Sequence, residues 1–323
     1  MNYNKSSGTW YPSEKKKGIK HMKSQQTIKR GAVWTAPVGL AGLAGRILAG
    51  AVALLLISVV FADRAWAITG GEVDQNNTYS NVGAWTGPSP FGPGLMALCS
   101  GTLIHPCVVL TAGHATIFIE QEHPEWLPLS FVNFARDATD TSDPSTCHAI
   151  AAIITHPNYI PDVNARPTRN DVGVIILKEA VTDVPLAKLP TAGYLDDLRR
   201  AKLLRQPGHG GVPFRVVGYG STLDWPPPVV IDGDGWRRFA DSDCLNVLPG
   251  WLLLLQNLAS GNGGTGYGDS GGPAFWIEPD GTRVLVAVTS WGDPNLVAMS
   301  FYWRVDLPET LDFIAQVLEG LEE

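Results

Sequence analysis

Hydrophobic residues in this 323-residue chain recur mainly as short runs bounded by glycine, proline, asparagine and aspartate. Runs of this length that are rich in valine and isoleucine are typical of the strands of a β-sandwich or β-barrel. The clearest runs are 108–113 (VVLTAG), 149–157 (AIAAIITHP), 172–178 (VGVIILK), 214–220 (FRVVGYG) and 283–292 (RVLVAVTSWG). The pattern therefore predicts an all-β body after residue 67.

One segment near the C-terminus has a helical pattern instead. Its apolar residues recur at spacings of three and four, and Asp306 and Pro308 act as helix start signals. These apolar residues are Leu307, Leu311, Ile314, Leu318 and Leu321. We expect a helix whose apolar stripe docks on a barrel. A turn-rich break at 189–198 divides the body into 68–188 and 189–323, which suggests two small barrels joined by a linker.

Charge is distributed unevenly along the chain. Residues 1–67 hold ten basic and two acidic side chains, whereas the rest of the chain holds 14 basic and 29 acidic ones. An acidic body is a poor partner for nucleic acid, so we expect no nucleic-acid binding. In the basic segment, an uncharged apolar run at 47–62 is followed by Ala65-Trp66-Ala67. This is the pattern of a signal peptide cleaved after Ala67, and an uncleaved membrane anchor is the alternative.

Export changes how the cysteines are interpreted. Cys99, Cys107, Cys147 and Cys244 all follow the leader and would meet an oxidising compartment, in which disulfides form. Four cysteines allow three connectivities, so we expect two disulfides without assigning their pairing. None of the cysteines has metal-ligand spacing, and we expect neither a metal site nor a cofactor. The leader predicts a secreted or periplasmic protein.

The stretch 265–275 (TGYGDSGGPAF) contains a candidate nucleophile, Ser270, in a glycine-rich turn. A serine hydroxyl needs a base to take its proton, usually a histidine that a carboxylate orients. The surrounding letters match the G-x-S-x-G motif of α/β-hydrolases, but those enzymes place their histidine after the serine. All seven histidines of this chain precede Ser270, and the last is His209. The α/β-hydrolase interpretation therefore fails.

Two segments offer partners for Ser270. His114 ends an apolar run with the letters TAGH, and Asp171 stands at the mouth of the apolar strand in NDVGVIIL, 170–177. A carboxylate at that junction would be partly buried and would need a donor, which an imidazole N–H can supply. The chain order of the candidate groups is His114, Asp171, Ser270.

Four motifs, TAGH, NDVGVIIL, GDSGGP and TSWG, together resemble those of the chymotrypsin/trypsin family of serine proteases, in the family's order. The resemblance runs from Ile68 to the C-terminal helix. It implies two six-stranded Greek-key antiparallel β-barrels. It also implies an endopeptidase with an acyl-enzyme mechanism, in which Ser270 is the nucleophile, His114 the general base and then acid, and Asp171 the group that orients the imidazole. The backbone N–H groups of Gly268 and Ser270 would form the oxyanion hole.

The resemblance further implies where substrate is held. The family's primary pocket is lined by positions that correspond to Gly264, Gly292 and Ser300, and backbone groups of TSWG would pair an extended peptide. The complete set of expected substrate contacts is Gly264, Thr265, Ser290, Trp291, Gly292 and Ser300. No acidic residue stands at the expected pocket base. We therefore expect an uncharged residue, aromatic or aliphatic, before the scissile bond.

The letters at the expected cleavage site, Ile68-Thr69-Gly70-Gly71, resemble the activated N-terminus of the family. This resemblance implies that signal cleavage frees the α-amino group of Ile68 to pair with Asp269, so that export itself activates the enzyme. Two family cysteines are replaced here, one by Ala115 and one by Gly266. Cys99 therefore lacks its usual partner in the family.

The implied partners are protein or peptide substrates, with a protein inhibitor as a further candidate, and we expect a monomer. Two alternative functions remain open at this point. One is a non-catalytic binding module that retains the protease fold. The other is an esterase that uses the same three residues, because acyl-enzyme chemistry also cleaves activated esters.

Overall fold

The computed structural model describes residues 68–90, 92–161, 169–221 and 234–322. These residues belong to one compact unit that is mostly β-structure. The signal peptide or anchor proposed for residues 1–67 lies outside the described residues. Within the described ranges, no helix combines the length and the apolar character needed to cross a membrane.

Six strands form the first sheet, which closes into an antiparallel barrel. They are β2 (Val82–Pro88), β3 (Leu95–His105), β4 (Val108–Thr111), β5 (Phe131–Asn133), β6 (Cys147–Thr155) and β7 (Gly173–Leu177). Their order around the barrel is β2-β3-β4-β7-β6-β5. Alternate residues such as Leu103, Val109, Val132 and Ile175 are almost fully buried inside, as expected for strands with one face in a core.

Eight strands form the second sheet, which curls into a half-barrel. They are β1 (Glu72–Val73), β8 (Phe214–Gly218), β9 (Arg238–Ser242), β10 (Cys244–Val247), β11 (Trp251–Leu255), β12 (Pro273–Ile277), β13 (Arg283–Gly292) and β14 (Met299–Arg304). Their order is β1-β9-β8-β12-β13-β14-β11-β10. The all-β, two-sheet fold is confirmed. The second sheet has two strands more than the expected six. One is β1, which precedes the first barrel in the chain and pairs with β9, and the other arises because the stretch 238–247 is divided at Asp243 into β9 and β10.

Three α-helices accompany the sheets: α1 (Gly113–Glu122), α2 (Tyr194–Arg200) and α3 (Pro308–Glu319). α3 matches the predicted C-terminal helix and begins at Pro308, where a missing N–H costs nothing. The apolar face of α3 buries Phe313, whose ring lies 4.9 Å from that of His156 after β6 of the first barrel. α2 overlaps the segment 189–198 that we interpreted as a linker.

All four cysteines are free thiols, so the two expected disulfides are absent from this structure. Sheet topology explains part of the result. Cys99 on β3 and Cys147 on β6 lie on opposite sides of the closed six-stranded barrel, which corresponds to about 10 Å across the barrel at the usual strand spacing. A disulfide needs Cα atoms within about 7 Å. Cys244 belongs to the second sheet, apart from the three cysteines of the first barrel. Ala115, which stands at the family's cysteine position, packs in the same apolar cluster as Cys99.

Candidate active site

Sheet pairing brings His114 and Asp171 together. His114 lies in the first turn of α1, just after β4, and Asp171 lies two residues before β7. β4 and β7 are antiparallel neighbours, with Thr111 opposite Gly173. The end of β4 therefore meets the start of β7, and the two side chains project at the same rim of the first barrel.

Ser270 approaches the pair from the second sheet, in the turn that leads to β12. The Nε2 atom of His114 lies 2.8 Å from Oγ of Ser270. On the other side of the ring, Nδ1 lies 2.9 Å from Oδ2 of Asp171. The backbone N–H of His114 also donates to Oδ1 of Asp171, at 2.8 Å. The three side chains thus form a continuous hydrogen-bonded chain, in the order expected from the sequence.

The charge of Asp171 controls the electrostatics of this chain. Asp171 is buried, which by itself raises its pKa, but the contacts with His114 and the hydroxyl of Ser290 leave its pKa below the usual range. Burial lowers the pKa of His114, yet the charge of Asp171 and its hydrogen bond outweigh burial and hold the pKa of His114 above its ordinary value. A carboxylate that is ionised at neutral pH beside a histidine of raised basicity suits proton transfer from a hydroxyl.

Ser100 on β3, which sequence reasoning missed, fastens the serine turn to the first barrel. Its N–H donates to the backbone oxygen of Ser270 at 2.9 Å, and its hydroxyl donates to the backbone oxygen of Gly268 at 3.3 Å. The same hydroxyl accepts the N–H of Tyr219, at 3.1 Å, from the second sheet. Ser100 is fully buried. The hydroxyl of Ser100 therefore joins the two sheets behind Ser270. No local sequence motif marks Ser100.

The backbone of the serine turn requires glycine at two positions. Gly268 has φ of +92°, and Gly271 has φ of +77° with Oγ1 of Thr111 only 2.1 Å from where a Cβ would stand. The N–H groups of Gly268 and Ser270 have no acceptor within the described part of the chain. Both groups are thus available to a ligand.

Asp269 is fully buried behind the turn. Its carboxyl oxygens accept the backbone N–H groups of Gly220 at 2.8 Å and Gly266 at 2.7 Å. Burial outweighs these two hydrogen bonds and raises the pKa of Asp269 to about 7. Ile68 is fully buried in the core of the second sheet, and because it is still linked to Ala67 its nitrogen is a peptide nitrogen. The neighbouring Thr69 forms a β-bridge with Gly264.

A cavity of about 290 Å³ opens beside Ser270 and His114. Four of the six expected substrate contacts line it, namely Thr265, Ser290, Trp291 and Gly292. Gly264 and Ser300 do not line the cavity. A Cβ on Gly264 would overlap the side chain of Gln256, and the hydroxyl of Ser300 donates to that same side chain. Leu296, which is almost fully buried, lines the cavity as well and would lie 3.2 Å from a Cβ on Gly266. Sequence reasoning missed both Gln256 and Leu296.

The replacement of a family cysteine by Gly266 also has a structural basis. A Cβ at this position would stand 2.6 Å from the backbone oxygen of Ser221, so the site has no room for any side chain. Over the described ranges, there is no group of three or more histidine, cysteine, aspartate or glutamate residues arranged to hold a metal ion. The groups that face one another at the site are a serine, a histidine and a carboxylate, with the backbone N–H groups of the serine turn beside them.

Comparisons with known proteins agree with this geometry. The family model described as Trypsin matches residues 68–314. The chain is 27% identical over 225 residues to Lectizyme of Glossina austeni, which covers 64% of this chain and 73% of that protein. It is 28% identical over 213 residues to vitamin K-dependent protein C of Rattus norvegicus, covering 60% of this chain and 40% of that protein. The chain belongs to the trypsin family of serine proteases.

Proposed function

We propose that the protein is a serine endopeptidase that cleaves peptide bonds through an acyl-enzyme intermediate. The observation that carries this proposal is the hydrogen-bonded chain from Ser270 through His114 to Asp171 at the mouth of a cavity. Family membership supports proteolysis as the class of reaction. The individual residue roles are our proposal.

Each of the three hydrogen-bonded side chains has a role in the proposed reaction. Nε2 of His114 takes the proton of Ser270 as Oγ attacks the scissile carbonyl carbon, and the same nitrogen then gives that proton to the leaving amine. Asp171 holds the Nδ1–H tautomer and stabilises the imidazolium. The N–H groups of Gly268 and Ser270 donate to the oxyanion, and each such donor contributes roughly 3 to 4 kcal/mol to transition-state stabilisation in comparable enzymes. A water molecule then attacks the acyl-enzyme in the same way, with His114 as the base, and the acid product leaves as Ser270 regains its proton.

The strand edge at 289–292 suits an extended peptide substrate. The ladder between β13 and β14 shifts register between Thr289 and Trp291, so Ser290 has no partner in it. A backbone segment left out of its ladder can pair with an added strand. We therefore propose protein or peptide substrates, with an uncharged side chain before the scissile bond. Thr265 and Leu296 of the cavity lining are uncharged, and the carboxylate of Asp293, which also lines the cavity, already accepts the backbone N–H groups of Asn295 and Val297.

The test of the proposal is labelling of Ser270 by a fluorophosphonate probe. We expect the processed protein to be labelled, and Ser270→Ala to abolish labelling because the probe reacts only with an activated serine. Ser260→Ala, in the exposed turn before the pocket, is the matched control and should retain labelling. An unlabelled but folded protein would favour the non-catalytic binding module. Cleavage of activated esters without cleavage of any peptide would favour the esterase.

We also propose that export activates the enzyme. Asp269 is buried and accepts only backbone hydrogen bonds in the described chain, and an uncompensated buried carboxylate is costly. The α-amino group of Ile68, once freed, would supply the missing positive charge, and Thr69 already lies beside Gly264 on the same loop. N-terminal sequencing of the exported protein should find Ile68 first. Full activity with a start a few residues away would contradict this scheme.

We further propose a localisation and a partner for the protein. The acidic body and the basic, apolar leader support a secreted or periplasmic protein. We propose that it acts as a monomer, and a protein inhibitor that presents an extended segment to the strand at 289–292 is a candidate partner.

A further inference from the structure

Gln256, which lies directly after β11, packs behind the wall of the cavity beside Ser270 through its hydrogen bond to Thr265. Gln256 is 1% exposed. A Cβ placed on Gly264 would stand 2.5 Å from Cγ and 2.7 Å from Cδ of Gln256. The space that a glycine at 264 leaves open is therefore already filled by a residue eight positions earlier.

Hydrogen bonds hold the carboxamide of Gln256 in one orientation. Its Nε2 donates to the backbone oxygen of Thr265 at 3.0 Å and to Oγ1 of Thr69 at 3.2 Å. Its Oε1 accepts the hydroxyl of Ser300 at 2.7 Å. Both N–H bonds of the amide are used, so this group has no donor left for a substrate.

The partners of Gln256 stand directly behind the cavity wall. Thr265 lines the cavity and is held from below by a 3.1 Å hydrogen bond with the hydroxyl of Tyr302. Gly292 lines it from β13, and the hydroxyl of Ser300 would lie 3.4 Å from a Cβ on Gly292. Gln256 thus contacts the wall at Thr265 directly. It contacts the wall at Gly292 through Ser300.

We propose that Gln256 is a specificity-determining residue that sets the depth of the primary pocket. This inference rests on the proposed peptidase function. A filled and fully hydrogen-bonded base shortens the pocket, so short and medium-length uncharged side chains fit before the scissile bond better than long ones. A lysine or arginine side chain would have an uncharged amide behind the base of the pocket instead of a carboxylate. The acidic residue of the cavity lining, Asp293, already accepts backbone N–H groups of Asn295 and Val297 through its two oxygens.

The experiment compares kcat/KM for two peptides that differ only in valine or phenylalanine before the scissile bond. Gln256→Ala removes the filling atoms, and we expect the phenylalanine-to-valine ratio to rise at least about tenfold, the effect of one or more buried methylenes. Gln256→Met refills the space without the hydrogen bonds and should bring the ratio back to near the parent value. Gln316→Ala, on the exposed face of α3, is the matched control and should leave the ratio unchanged.

Fluorophosphonate titration of Ser270 normalises every rate. It also separates the proposed peptidase function from the proposed role of Gln256. A parent protein that is not labelled overturns the proposed function, and this inference with it. A labelled Gln256→Ala protein with the parental ratio overturns the role of Gln256 alone. If Gln256→Ala yields no folded protein, Gln256→Ser supplies the same comparison, because it also removes the filling atoms while it leaves a hydroxyl among the buried polar groups.

Discussion

His114 is held between two opposing influences, burial and the carboxylate of Asp171. Burial disfavours the imidazolium, whereas the negative charge 2.9 Å away favours it and prevails, so the pKa of His114 is raised. The proposed reaction needs neutral imidazole, so we expect activity to be lost as pH falls through this raised pKa. For the same reason we expect Asp171 to influence the rate through His114, without contact with substrate.

Asp171→Asn tests that balance. We expect the rate of fluorophosphonate labelling to fall by about 10⁴, because the imidazole loses its productive tautomer. The acid limb of the pH profile should move to lower pH, since burial alone then acts on the pKa of His114. The measurement is the labelling rate from pH 4 to 9. Asp312→Asn on α3 removes an exposed carboxylate and should leave both the rate and the profile unchanged; an unshifted acid limb in Asp171→Asn would contradict the assignment.

At the scale of elements, α3 links the second sheet to the first barrel. Thr310 accepts the indole N–H of Trp303 on β14 at 3.1 Å, while Phe313 packs against His156, whose backbone N–H donates to Val172 beside Asp171. The helix therefore packs against the segment that leads into β7 and carries Asp171. Its stripe of leucines was visible in the sequence, but the barrel residue that receives it was not.

Phe313→Ala measures what this docking contributes. Phe313 is 6% exposed, and truncation of a buried phenylalanine typically costs about 3 to 5 kcal/mol. We expect a loss of that size in the free energy of unfolding, measured by urea denaturation. Gln316→Ala, on the exposed face of the same helix, should change stability by less than about 0.5 kcal/mol. Equal effects of the two substitutions would show that α3 does not depend on Phe313 for its docking.

At the scale of the whole molecule, a fully buried arginine ties the two sheets together. Nε of Arg237 donates to Asp74 at 2.9 Å, and Nη1 donates to the backbone oxygens of Val82 at 3.0 Å and Phe134 at 3.1 Å in the first barrel. The hydroxyl of Tyr219 accepts from the same Nη1 at 2.9 Å. Asp74 follows β1, so the arginine also fixes the segment that begins at Ile68.

Arg237→Met should be one of the most destabilising single substitutions in the chain. It leaves Asp74 buried without its cation, which typically costs about 3 to 5 kcal/mol. The matched control is Arg200→Met, which breaks the exposed pair with Asp197 on α2 and should cost less than about 1 kcal/mol. Urea denaturation of both variants gives the comparison. A loss below that of the control would mean that backbone contacts alone hold the N-terminal segment.

The sequence by itself determined where several strands form and singled out three groups that meet in the structure. Each of the five apolar runs overlaps a strand, and the three motifs single out His114, Asp171 and Ser270, whose side chains are hydrogen-bonded to one another, because strand alternation and turn chemistry are local properties of the chain. The trypsin family followed from those same letters. Such signals need only a few neighbouring residues.

Tertiary structure alone decided the contacts between segments that are distant in the chain. Gln256 fills the space beside Gly264 and reaches Thr69, 187 positions away, and Ser100 holds the oxygen of Gly268 across 168 positions. The separation of Cys99 from Cys147 likewise follows from the strand order of a closed barrel. These contacts depend on how the sheets close and pack, and no local pattern encodes that closure. The surroundings of Gly264 are therefore decided by the fold, whereas the motif alone was enough to single out Ser270 as the candidate nucleophile.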